Sequence, residues 1–430
     1  MKIRTKDLMI ILLGFFMAHS NNVWAHNSPN KKHDINWSIN INKHQDSIKT
    51  TLFNLGLISN TDALNGVSLN LFFGSMHGKM KGVQLSGIAS YADKMSGFQL
   101  GGLANFVKND ASGLMTSALI NAVGGKANGL LLSAITNVSG KEFKGLSMAG
   151  ILNLSTDNLK GVQIAGVLNA SARELKGVQT SLLSNVGMNI TGIQWSMICN
   201  IAAQKISGLQ LAGVANVAMN TRKNLQVSSL TNICLDTMNG VQLSLGNYAE
   251  NVKGAQIGLL NLSTGKVNGW QIGIVNHSKD TTTHKIGLVN IHPKTKIQAM
   301  LYGSNTSKIN VAVRFKNKRN YSIIGVGTHY FELNKDFSGC LFYRTGLYIR
   351  LKKKFEISGD LGYFHIETFE DKQADVPERM YSLQARINLE YKILPKLSLF
   401  ATSGYATTRH YKGNKRFENK GIIEAGFVLF

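Results

Sequence analysis

A repeat constrains this chain more than any other feature of its sequence. From Lys160 the chain reads KGVQIAGVLNASAREL, and KGVQTSLLSN, TGIQWSMICN, SGLQLAGVAN, KGAQIGLLN and NGWQIGIVN follow. The closing Asn recurs at Asn105, Asn121, Asn137, Asn153, Asn169 and Asn185, always 16 residues apart. It continues at Asn200, Asn216, Asn232, Asn247, Asn261, Asn276 and Asn290, with spacings of 14 to 16. A fixed short period is the signature of a repeat architecture.

A unit of this size is too short for a helix pair, and its Gly, Val, Ile and Asn content favours strands over helix. Val162 and Ile164 alternate with Gln163, then the phase slips at Ala165-Gly166, which predicts a bend. One unit therefore reads as one coil of a β-solenoid, built from two or three short strands. Coils stack at about 4.8 Å, so about fifteen of them make a rod of about 70 Å. In such a stack each Asn meets the Asn of the next coil, and an amide can both donate and accept there. The recurrent Gly fits a turn with positive φ or a close backbone approach. The Asn-x-Ser triplets at Asn137, Asn153, Asn169 and Asn261 match glycosylation acceptors, but they also arise from the repeat's own turn chemistry. A rival reading makes each unit one strand of a large membrane barrel, giving a porin-like channel. Barrel connections alternate between short and long, whereas these connectors are uniform, and that favours the solenoid.

Four segments follow in order: 1–25, 26–50, 51–295 and 296–430. The first has a basic start (Lys2, Arg4, Lys6), an apolar core from Leu8 to Ala18, and a small-residue end at Val23-Trp24-Ala25. This is the pattern of an export signal. The second is polar but carries an alternating strand at 35–41, which either caps the solenoid or joins the C-terminal sheet. The third holds the repeats.

After Pro293 the repeats stop, and aromatic residues and longer alternating runs appear. Tyr381, Leu383, Ala385, Ile387, Leu389 and Tyr391 form one apolar face, opposite Ser382, Gln384, Arg386, Asn388 and Glu390. An apolar face with Tyr at both limits suits a lipid-facing strand between two aromatic girdles. Eight such strands are predicted: 297–303, 309–316, 320–328, 338–352, 355–369, 379–392, 396–410 and 420–430. The fold class is therefore all-β, a solenoid followed by an antiparallel membrane β-barrel. A soluble β-sandwich would alternate too, but it does not call for girdles. The opposite faces supply Arg314, Arg344, Arg350 and Arg386 against Glu356, Asp360 and Glu390. Eight strands leave an interior just wide enough for side chains, so these charges should pair and plug it. The terminal Phe430 matches an outer-membrane assembly signal, although Glu424 shares its face.

The GVQIAGVLN units, followed by IGVGTHYF, FSGCLFYRTGLY, FEISGDLGYFHIETF and MYSLQARINLEYKILPKLSLFA, resemble the surface repeat-containing outer-membrane proteins of Bacteroidota. Related repeats occur in spirochaete surface proteins. The resemblance covers about 51 to 430 and implies an outer-membrane or surface location. It transfers no catalytic residue.

No nucleophile elbow, phosphate loop or zinc motif is present, and acids are scarce in the repeats (Asp157, Glu174, Asp236, Glu250). No enzyme is expected, and no cofactor or metal. A carbohydrate-active solenoid enzyme would need carboxylates stacked at matching coil positions. Cys199, Cys234 and Cys340 are odd in number and scattered, so they read as buried thiols and not as a disulfide framework. His277, His284 and His292 form a loose cluster that reads as turn residues. The formal charge of +23 points to anionic outer-membrane lipid and lipopolysaccharide as partners, beside the barrel assembly machinery. Nucleic acid fits poorly, because the basic residues lack interleaved stacking aromatics. The Gln column (Gln163, Gln179, Gln194, Gln210) would suit a glycan or host-surface ligand, but the expectation is that it simply ladders as the Asn column does. The expected role is structural or adhesive.

Overall fold

The structure is a computed structural model that describes residues 35–40, 50–280, 283–332, 336–371 and 378–429. The predicted signal and Phe430 lie outside the described residues. Among the described residues all regular elements are strands, in two separate sheets: a long parallel stack up to Ile291, and a closed eight-stranded barrel from Lys296 to Leu429.

In the stack each coil contributes two strands, such as Leu159–Ala165 and Leu168–Ser171 before they merge with the next coil. Pairing is parallel and in register. Gly145, Gly161 and Gly177 stand side by side, as do Asn137, Asn153 and Asn169. Parallel pairing of successive repeats overturns the porin-like reading, which needs antiparallel neighbours. The strand Ile35–Asn40 pairs in parallel with Thr50–Gly56, so it extends the rod's first end and takes no place in the barrel.

Two columns shape the coil. At Gly161 φ is +145°, and a Cβ there would lie 2.0 Å from the carbonyl oxygen of Gly145. Twelve coils, from Gly82 to Gly269, turn this corner with a positive φ at glycine, so there the column uses both glycine's φ range and its missing side chain. Where Asn224 replaces Gly, the positive φ moves to Lys223, at +47°.

The second column is the Asn ladder. Asn153 Nδ2 donates to Asn169 Oδ1 at 2.9 Å and to Ile164 O at 2.6 Å. The ladder runs to Asn290, and through Asn276 its members are almost fully buried. The Gln column ladders in the same way, Gln179 to Gln163 at 2.9 Å and Gln194 to Gln179 at 3.0 Å. Ser147, Leu131 and Met115 interrupt it. The Gln residues point inward and present no amides to a ligand. Beside the two ladders apolar columns close the core: Leu159, Leu175, Ile190 and Ile206 are all buried, as are Val107, Val123, Ala202 and Ala218 two residues after the ladder Asn.

The barrel strands fall close to their predicted places: 296–304, 310–316, 320–332, 336–350, 355–371, 379–394, 397–410 and 416–429. Closure is made by Lys296–Ser304 pairing with both neighbours, for example Ala299 with Leu429 and with Val313. The rod ends against the barrel. Asn317 Nδ2, in a barrel turn, donates to Asn290 O at 3.1 Å, and Thr295 Oγ1 donates to Asn317 Oδ1 at 2.5 Å.

Candidate functional site

The barrel interior is a built ionic plug. Arg344 and Arg386 are almost completely buried and share two carboxylates. Arg344 reaches Asp360 at 2.8 Å and Glu424 at 3.2 Å, and Arg386 reaches Glu424 at 3.1 Å. Tyr321 OH and Asn388 Nδ2 each donate to Asp360 Oδ2 at 2.8 Å. One layer nearer the rod, Arg314 pairs with Glu390 at 2.7 Å and Lys316 pairs with Glu356. The buried cations are Arg314, Lys316, Arg344 and Arg386, and the anions are Glu356, Asp360, Glu390 and Glu424. Among the described residues the lumen is thus electrically balanced. A charge in so dry a space costs several kcal/mol unless it is paired, which explains the matching. Tyr302, Phe342, Phe364 and Phe400 fill the remaining space.

Six of the seven predicted interior charges are brought together. Arg350 is the exception: its side chain is 60% exposed at the turn end, 4.0 Å from Glu356. It shares strand parity with Arg344 but lies beyond the lumen. Lys316 and Glu424 were missed, although parity marks both, Lys316 two residues after Arg314 and Glu424 opposite Phe427. Glu424, an apparent flaw in the last strand's alternation, is a central anion of the plug.

Outside, Leu347, Ile349, Leu361, Ile387 and Ile423 are each more than 60% exposed. Phe355 packs on Tyr391 at 4.7 Å near one limit of the band, and Tyr363 stacks with Tyr381 at 6.2 Å near the other. From Tyr381 to Tyr391 is about 34 Å of strand, which at a tilt of about 40° spans about 26 Å, the height of a lipid-facing band. The turns at 317–319, 351–354 and 395–396 carry Lys318, Arg319, Lys352, Lys353, Lys354 and Lys396 and no acid. The opposite end mixes signs, as in the pair of Arg379 with Glu367 at 2.9 Å.

The rod reverses the usual layout of polar and apolar residues. Its ladders are inside, and much of its outer surface is aliphatic. Leu119, Ile151, Leu183, Leu230 and Ile274 occupy one column and are 42–53% exposed. Charges gather in the connectors, where Lys160 meets Glu142 at 2.9 Å and holds that carboxyl below its ordinary range. Arg173 meets Asp157 at 3.3 Å.

The three cysteines are free. Cys234 and Cys340 are buried as expected, and burial pushes the Cys234 thiol up to about 11. Cys199 is only half-buried, because its position falls on the outer face. The histidines serve separate contacts: His284 stacks on Trp270 at 4.8 Å, and His292 Nδ1 accepts from Lys294 N at 3.1 Å. No group of three His, Cys, Asp or Glu able to hold a metal occurs among the described residues.

No protein-family model matches the sequence, and no curated protein matches it. Solved structures similar to part of the chain include one titled for de novo design of transmembrane β-barrels, at 11% identity and TM-score 0.21. Neisserial surface protein A aligns at 10% identity and TM-score 0.22. Ail, the attachment invasion locus protein of Yersinia pestis, aligns at 15% identity and TM-score 0.19. Each alignment covers 31% of this chain, and 91%, 93% and 97% of the respective structures.

Proposed function

We propose that this protein is a non-enzymatic outer-membrane anchor whose closed barrel carries the solenoid on the periplasmic side. The carrying observation is the connection between the two parts. The chain enters the barrel at Lys296 and leaves it at Leu429, and these ends lie together. The same end holds the short turns at 317–319, 351–354 and 395–396. Outer-membrane barrels keep short turns in the periplasm and longer loops outside, so a rod joined at the short-turn end belongs to the periplasm. The purely basic turns then meet phospholipid phosphates of the inner leaflet. Lipopolysaccharide meets the opposite, mixed-charge end.

On this reading the protein shares the location of the surface repeat-containing family it resembles, and the barrel assembly machinery inserts it. Its role is structural, holding a rod at the membrane. Adhesive display on the cell surface is the second reading, and it rests on the family resemblance alone, since the buried Gln ladder offers a glycan no amide column. Protease treatment separates the two. Rod peptides should survive in intact cells and be lost once the outer membrane is permeabilised. Their loss from intact cells would put the rod outside and restore the adhesive role.

A further inference from the structure

We infer that the last hairpin of the barrel carries a phosphate-binding site on its lipid-facing wall, for lipid A, the phosphorylated glycolipid end of lipopolysaccharide. This deepens the outer-membrane reading and rests on it for the leaflet. The first observation is a cross-strand row. His365, Tyr381, Arg409 and Arg416 are successive partners on four neighbouring strands. Arg409 continues the outward face of its strand, on which Leu399 is 39% and Tyr405 54% exposed. Residues directly opposite in an antiparallel pair share a face, with Cβ atoms about 5 Å apart. Arg409 and Arg416 therefore stand side by side on the outer wall, and like charges so placed repel. The stretch 409–420 holds five Lys or Arg and one acid, Glu418. Glu418 pairs with Lys420 at 3.4 Å, and Glu367 pairs with Arg379 at 2.9 Å. Among the described residues no acid pairs with Arg409, Lys412, Lys415 or Arg416. An anion from outside the chain would relieve the arginine pair.

The second observation is that the turn is tied down. Gly413 and Asn414 both have positive φ, +77° and +53°, which closes the hairpin tightly. Asn414 Oδ1 accepts from Tyr381 OH and, at 3.4 Å, from Arg409 Nη1. Tyr411 folds back on the wall, its ring 5.9 Å from that of Tyr381 and its hydroxyl 3.4 Å from that of Tyr363. Lys412 and Lys415 are exposed on this fixed turn.

Third, the row stands at the right height. Below it the wall is apolar, with Leu383 55%, Tyr405 54% and Ile423 69% exposed. From Arg409 to Tyr405 is about 13 Å of strand, or about 10 Å of height at a tilt of about 40°. The cations thus sit at headgroup level and the hydrocarbon wall begins beneath them. A ligand that meets both carries phosphate above and acyl chains below. Four cations exceed the single charge of a phosphodiester headgroup. Lipid A bears phosphate monoesters, each of about −1.5 to −2, which guanidinium forks grip in bidentate fashion. Tyr411, 54% exposed, offers a flat amphipathic ring beside them for the sugar.

Native mass spectrometry of the full chain in detergent tests the site, with diphosphoryl lipid A as the probe. Saturable binding is expected. Arg409→Gln with Arg416→Gln should weaken it about tenfold or more, because charge-assisted bonds to phosphate are lost. Arg409→Lys with Arg416→Lys should restore part of it. Lys144→Gln with Lys176→Gln removes the same charge from the rod and should bind as the parent does. Stability separates binding from a structural role. Without the probe, the Gln pair should keep or raise the urea midpoint of the barrel, because repulsion is relieved. Added lipid A should raise the midpoint of the parent and not that of the variant. Equal binding by the parent and the Gln pair overturns the site. Phosphatidylglycerol that binds as tightly as lipid A, and is lost in the same variant, overturns the choice of glycolipid. Either single Gln change serves where the double variant misfolds. Heat-shifted gel mobility scores barrel folding separately, so a folded barrel that ignores lipid A refutes the site and leaves the anchor reading standing.

Discussion

Lys285 occupies in the last coil the slot that Gln271 holds in the coil before it. The Gln ladder stops there: Gln271 Oε1 is buried without a partner, while Lys285 Nζ donates to Ile291 O instead. Burial pulls the Lys285 ammonium down from 10.5 to about 8. Between these values the unfolded chain binds more protons than the folded one, so stability rises with pH from about 8 to 10.5 and is flat below. Lys285→Gln should extend the ladder, stabilise the final coil by about 1 kcal/mol and remove that slope. Urea unfolding of parent and variant at pH 7 and pH 9.5 checks both effects. An equal slope in the two proteins would mean that other groups titrate.

The Asn and Gly columns were legible in the sequence because an in-register parallel stack places identical residues side by side. Periodicity alone then fixes their meeting. The orientation of the faces was not legible. Alternation of Val162 and Ile164 with Gln163 defines two faces without saying which is inside, and the habit of burying aliphatics gives the wrong answer here. Laddered amides satisfy one another, so they can be buried cheaply, while the uncharged outer face reads as core. In the barrel, parity found Arg344, Asp360 and Arg386, but parity knows nothing of where the lumen ends, and so Arg350 was misplaced. Treating Glu424 as a blemish hid one of the two acids that both buried arginines share.

Asn224 breaks the Gly column at a cost. Its side chain is buried, and neither its Oδ1 nor its Nδ2 has a partner. The left-handed φ has passed to Lys223, which has a side chain to accommodate. Asn224→Gly should return the turn to glycine and relieve the orphaned amide, a gain of about 1 kcal/mol after glycine's own entropy cost. A higher urea midpoint is expected, and a lower one would show that the amide holds an internal water worth more than the strain.

In mid-ladder, Asn153 should be far less tolerant. It accepts from Asn137 Nδ2 at 3.0 Å and from Ser147 Oγ at 2.7 Å while donating to Asn169 and Ile164 O. Asn153→Leu keeps the branching of the side chain but adds bulk, and it strands these groups in a dry core, at about 3 kcal/mol or more. The same change at Asn290, which has one ladder neighbour and sits half-buried, should cost less. Equal losses at the two positions would argue against a cooperative ladder.

The plug makes the most specific demand. Arg386 Nη2 lies 3.1 Å from Glu424 Oε1, and its guanidinium carbon lies 4.7 Å from the centre of the Phe364 ring. Arg386→Leu leaves Glu424 with Arg344 as its remaining buried cation, and Asp360 loses its second cation at 3.8 Å. Removing one member of a buried pair costs about 3–5 kcal/mol, whereas replacing both by apolar groups can be nearly neutral. The double variant Arg386→Leu with Glu424→Leu should therefore recover much of the loss, with a coupling of about 1–3 kcal/mol. Denaturant unfolding of the barrel in detergent, followed by gel mobility, gives the cycle. Neither variant should open a pore, because Tyr302, Phe342, Phe364 and Phe400 still fill the lumen. Planar-bilayer recordings of the full chain and of Arg386→Leu should both be silent. Steady single-channel currents from the parent would contradict a plugged anchor, and currents from the variant alone would show that the ion pairs, and not the aromatic filling, close the barrel.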